Sequence, residues 1–151
     1  MSTLLIAVPL IVIAVVVAVV IRRRQPEPPT QPKWTIPSQL DRRDFERPEA
    51  PWIVVVFSSK ACESCEAALA KVLPLASADV AVQDVSYQTN QKLQERYGID
   101  AAPTIVVADQ QGVVRASFVG TPSTGDLWTA VADVREGRTG PRADQDQSIT
   151  P

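Results

Sequence analysis

The chain has 151 residues, with 15 Lys and Arg against 17 Asp and Glu and a net charge of −2. This balance argues against the basic face of a nucleic-acid binder. Histidine is absent, which removes histidine-based general catalysis and Cys₂His₂ metal sites, and the two cysteines are too few for a disulfide framework.

Leu4 to Ile21 comes first and carries no charged or polar side chain. As a helix rising about 1.5 Å per residue it would be about 27 Å long, close to the hydrocarbon thickness of a bilayer. No basic residue precedes it and no small-x-small cleavage pattern follows. The run is therefore expected to be a retained single-pass transmembrane helix and not a cleaved signal. Arg22-Arg23-Arg24 follows at once, so residues 1–24 read as an anchor with a basic flank. The positive-inside rule then puts the N-terminus outside and the rest of the chain in the cytoplasm.

Residues 25–51 read as a proline-rich linker, with Pro26, Pro28, Pro29, Pro32, Pro37, Pro48 and Pro51. Its early part is expected to be an extended polyproline-like spacer. Trp34, Ile36, Leu40 and Phe45 are apolar enough for the later part to dock on the domain that follows.

Residues 52–137 carry the periodic pattern of a folded domain. Ile53 to Phe57 is a continuous apolar, β-branched run, as in a buried strand. It leads through Ser58-Ser59-Lys60-Ala61 into Cys62-Glu63-Ser64-Cys65, which opens a predicted helix reaching about Val72. Unsatisfied N–H groups and partial positive charge at a helix start stabilise a thiolate, and the spacing lets the second thiol reach the first. Lys60 is positioned to lower the Cys62 pKa and Glu63 to oppose it. A mildly reducing dithiol is the expected balance. From the residues alone, the pair also fits a static disulfide, or half of a zinc site completed by a second copy of the chain.

A second strand is expected over Val80–Val85. A helix follows from Thr89 to Tyr97, capped by Thr89 or Asn90 and stopped by Gly98. A third strand, Thr104–Ala108, turns through Asp109-Gln110-Gln111-Gly112 into a fourth, Val113–Val119, antiparallel to it. Ser123 or Thr124 caps a last helix whose Leu127, Trp128, Val131 and Val134 pack on the sheet. This order predicts an α/β domain: a mixed four-stranded sheet with helices on both faces, preceded by the transmembrane helix. Residues 138–151, polar and without apolar period, are expected to be a disordered tail.

With these elements placed, the chain resembles the thioredoxin-like superfamily, of the membrane-anchored bacterial kind. The likeness rests on Val54-Val55-Val56-Phe57 leading to the Cys-x-x-Cys and on Tyr97-Gly98-Ile99-Asp100-Ala101-Ala102-Pro103-Thr104. The turn Asp109–Gly112, with the strand ending at Gly120, adds to it. The resemblance implies that Cys62 is the attacking thiol and Cys65 the resolving thiol. It makes Pro103 a cis-proline, and Ala102, Pro103 and Thr104 the strip that pairs with an extended substrate. Ala61 and Ser58 stand where thioredoxins carry tryptophan, and Val56 where they carry a buried acid, which points to a specialised member.

The expected function is a membrane-tethered thiol–disulfide oxidoreductase acting on protein disulfides or dithiols. It would work through the redox-active Cys62–Cys65 pair, without a bound cofactor or metal, and draw electrons from a reductase. The alternative is a non-catalytic tethered binding module or adaptor with the same fold.

Overall fold

The computed structural model describes residues 34–143. The expected membrane-spanning run lies outside them. Among the described residues no helix is long and apolar enough to cross a membrane.

Four strands form one sheet in the order β2-β1-β3-β4: β1 (Trp52–Ser58), β2 (Val80–Ser86), β3 (Thr104–Asp109) and β4 (Val114–Val119). β1 runs parallel to β2 and antiparallel to β3, and β3 runs antiparallel to β4. The two central strands bury almost every side chain, because both of their faces are covered. That double burial is why they read as unbroken apolar runs.

Three helices cover the sheet: α1 (Cys65–Val72), α2 (Tyr87–Arg96) and α3 (Thr124–Arg135). On one face Val54, Val56, Ile105 and Val107 pack against Ala68 and Val72 of α1 and Leu127, Ala130 and Val134 of α3. On the other, Ile53, Val55, Phe57 and Val106 meet Leu93 of α2, Tyr97 and the segment carrying Leu40, Phe45 and Ala50. Phe45 stacks on Tyr97 with ring centroids 5.8 Å apart.

Residues 34–50, the second half of the expected linker, are thus part of the packed body. Leu40 is buried, and its N–H donates to Gly112 O at 2.8 Å, while Val114 N–H donates to Ser38 O at 3.0 Å. Arg42 is buried beneath this segment and donates to Ala50 O at 3.1 Å and Asp109 O at 2.9 Å. Burial pushes its guanidinium pKa down, and Asp109 opposes the shift.

Several elements depart from expectation. Helix α1 begins at Cys65, so Cys62, Glu63 and Ser64 form the turn before it. Helix α2 begins at Tyr87 with Ser86 as its N-cap residue. Thr89 and Asn90 sit instead at a kink, where Asn90 has φ −133° and ψ 37°. Short polar side chains favour local backbone bonds over helix continuation, so the same chemistry that suggested a cap marks a break. Trp128, expected in the core, is 45% exposed, since Leu127, Ala130, Val131 and Val134 already fill the buried stripe of α3. Of the expected tail, residues 140–143 lie along β4: Ser117 N–H donates to Pro141 O at 2.9 Å and Ala143 N–H to Ser117 O at 3.2 Å. Residues 144–151 are outside the described part.

Candidate active site

Strand β1 delivers the chain to the sheet's end, where a tight turn precedes α1. Cys62 N–H donates to Ser59 O at 3.0 Å and Ala61 N–H to Ser59 Oγ at 3.3 Å. The two cysteines are joined in a disulfide with Cα atoms 5.5 Å apart. Cys62 is half-buried and Cys65 is 4% exposed. The difference follows from helix geometry: Cys65, Ala68 and Val72 share the stripe facing the sheet, whereas Cys62 stands ahead of the helix at its rim.

Helix α2 braces this turn from the other side. Gln88 Oε1 accepts from Lys60 N–H at 3.0 Å, and Gln88 Nε2 donates to Ser59 Oγ at 3.2 Å. Gln94, buried at 4% exposure, donates through Nε2 to Ser58 O at 2.9 Å and Val85 O at 2.6 Å. It ties the ends of β1 and β2 together directly beneath the cysteine turn. Neither glutamine announces itself in the sequence, because the helix pattern of α2 singles out only Leu93 and Tyr97.

The Ala102–Pro103 peptide bond is cis. Ala102 is exposed and Pro103 is buried. Thr104 is 2% exposed and its hydroxyl donates to Ala101 O at 2.8 Å, so its side chain closes the turn. The residues just after β4 bond both this loop and the cysteine turn. Gly120 N–H donates to Pro103 O at 2.8 Å, and the adjacent Thr121 Oγ1 donates to Ser64 O at 3.3 Å. The proline loop and the Cys62–Cys65 turn therefore share one end of the sheet.

Lys60 and Glu63 are both exposed, and neither forms an ion pair among the described residues. Val56 is fully buried, and its register partner on β2 is Asp84. Ser58 Oγ donates to Asp84 Oδ1 at 2.6 Å, so a carboxylate lies on the strand next to Val56, but as an exposed residue and not a buried acid. Only the parallel register reveals that neighbour. Among the described residues no group of three or more Cys, Asp and Glu is arranged to hold a metal.

A small cleft of about 200 Å³ opens between Tyr87, Asp100 and Ala102, next to Ser59 of the cysteine turn. A larger one of about 550 Å³ runs between β4, α3 and Pro141, and neither cysteine lines it.

A paired dithiol at a helix start after a central strand, beside a cis-proline loop, defines a thioredoxin-type domain. The chain matches the thioredoxin-like domain family over residues 39–135 and belongs to it. The match begins within the stretch expected as linker. Among solved structures the chain is similar to the germline-specific thioredoxin Deadhead of Drosophila melanogaster. The two are 26% identical, with a TM-score of 0.53, covering 61% of this chain and 89% of that one. Mitochondrial thioredoxin 3 of Saccharomyces cerevisiae in its oxidized form is 18% identical, covering 56% of this chain and 80% of that one at TM-score 0.49. Thioredoxin-2, described as a component of malaria parasite protein secretion machinery, is 20% identical, covering 55% and 82% at TM-score 0.49. No curated protein matches the chain.

Proposed function

We propose that this protein is a thiol–disulfide oxidoreductase held at a membrane by Leu4–Ile21, its catalytic domain on the cytoplasmic side. The observation that carries the redox reading is the pairing of half-buried Cys62 with buried Cys65 beside the Ala102–Pro103 loop. In the reduced protein the Cys62 thiolate attacks one sulfur of a partner disulfide, and the partner's other sulfur leaves as a thiol. Cys65 then attacks Cys62 Sγ and expels the partner's second sulfur. Two electrons pass from the dithiol to the partner, the dithiol's two protons end on the partner's thiols, and the Cys62–Cys65 disulfide is left. A thiol-based reductase would restore the dithiol.

The exposure of Ala102, next to the cis-proline and near the cysteine turn, supports pairing with an extended peptide there. The anchor and cytoplasmic side rest on the apolar run and Arg22-Arg23-Arg24. The test is reduction of insulin disulfides by the wild type, Cys62→Ser and Cys65→Ser. Loss of turnover in both variants, with Cys65→Ser accumulating a mixed disulfide through Cys62, is the expected result. Turnover that survives both substitutions contradicts the mechanism, and inactivity of the wild type favours a tethered binding module. Labelling of Cys62 in reduced, intact cells by an impermeant maleimide would overturn the cytoplasmic placement.

A further inference from the structure

The cleft beside the cysteine turn has a distinct chemical character. Gln94 lines it, and its amide nitrogen is spent on Ser58 O and Val85 O. No donor among the described residues reaches Gln94 Oε1, so this nearly buried side chain, which lines the cleft, keeps an unused acceptor. Asp100, an exposed residue, also lines it; among the described residues its carboxylate accepts only from Thr35 N–H at 3.3 Å and pairs with no Lys or Arg. Tyr87 lines the cleft too, 41% exposed although it is a large aromatic. Ile99 and Ala101 supply an apolar lining suited to a methylene stem. Lys60 is not part of the wall.

A carboxylate, an amide oxygen and an aromatic ring together suit a cation that brings its own N–H donors. At about 200 Å³ the cleft is smaller than the ~300 Å³ at which small-molecule sites begin, so it suits one side chain. It opens between Ser59 of the cysteine turn and Ala102 of the proline loop, where a bound peptide would place residues flanking its own cysteine.

We propose that the Tyr87–Gln94–Asp100 cleft is a specificity subsite for an arginine or lysine of the partner peptide, adjacent to the disulfide under attack. The assignment rests on the disulfide-exchange reading above. It gives the protein a preference for disulfides in basic sequence surroundings.

The test mixes the reduced full chain with symmetrical disulfides of short blocked peptides carrying arginine, alanine or glutamate beside the cysteine. Cys62 expels one peptide as its thiol and Cys65 expels the second, so each turnover oxidises one dithiol and reduces one peptide disulfide. At low salt the arginine peptide should react about fivefold faster than the glutamate peptide, as expected of exposed cation–π and ion-pair contacts. High salt should shrink the ratio. Asp100→Asn and Tyr87→Ala should each bring it towards one, and because the readout is a ratio, a general change in reactivity cancels. Equal rates for the three peptides, with neutral hydroxyethyl disulfide still reduced, overturn the subsite and leave the exchange reading standing. A preference that both variants retain also overturns it. A chain that reduces none of these disulfides overturns the exchange reading and the subsite with it.

Discussion

Gly112 is the position where the segment before β1 and the turn before β4 meet most closely, and replacing it measures that contact. Its φ is +80°, a left-handed backbone that costs alanine about 1–2 kcal/mol. A Cβ there would also lie 1.9 Å from Leu40 O and 3.0 Å from Leu40 C, whereas ordinary contact begins at 3.4 Å. Both clashing atoms are backbone, so residues 38–40 must withdraw. Withdrawal breaks Leu40 N–H to Gly112 O and Val114 N–H to Ser38 O, each worth about 0.5–1.5 kcal/mol. Gly112→Ala should therefore lose about 2–5 kcal/mol. Gly120→Ala is the internal comparison: φ is +85°, but nothing lies within 4 Å of the added Cβ, so only the backbone cost of about 1–2 kcal/mol applies. Urea unfolding of the full chain, followed by tryptophan fluorescence, measures both. Equal losses in the two variants would refute the docking of residues 38–40 against β4.

Gln94→Leu removes the one side-chain donor that, among the described residues, reaches Ser58 O and Val85 O while keeping similar volume, and should cost about 1–3 kcal/mol by urea unfolding. Hydrogen exchange at Lys60 and Ala61 should speed up in that variant, and unchanged protection there would contradict the bracing role. Tyr97 donates to Asp44 Oδ2 at 2.5 Å and accepts from Asp41 N–H at 2.9 Å. Burial, then the Asp44 carboxylate, pushes its phenol up to about 12. The folded state thus holds this proton more tightly than the unfolded chain, where tyrosine titrates near ~10. The stability it contributes is whole below pH ~10 and is lost as pH rises towards ~12. Tyr97→Phe should flatten stability against pH across that window, and an unaltered slope would show that another group carries it.

Much of the domain was legible because it rests on short-range patterns. Ile53–Phe57, Val80–Val85 and Thr104–Ala108 announce strands through β-branched runs, and Asp109–Gly112 announces a hairpin turn. The Cys-x-x-Cys after a strand and the Ala102-Pro103-Thr104 entry to another marked the site. Less visible were contacts between residues far apart in sequence. Gln94 reads as an ordinary polar helix residue until Ser58 and Val85 are placed beneath it. Trp128 reads as core until the narrower stripe of α3 proves sufficient. The bond from the Thr104 hydroxyl to Ala101 O, which closes the turn after the cis-proline, is likewise invisible in the sequence.

The sequence by itself determined the element types, their order and the dithiol, because apolar period, glycine turns and cysteine spacing act over a few residues. Tertiary structure alone decided that residues 38–40 pair with the turn before β4, that Arg42 reaches Ala50 O and Asp109 O, and that Asp84 stands beside Val56. It also decided that Thr121 joins the proline loop to Ser64, and that Tyr87, Gln94 and Asp100 enclose one cleft. These depend on strand register and on which helix face meets which sheet face. Both are set by how the whole apolar surface is buried at once, which no local stretch of sequence encodes.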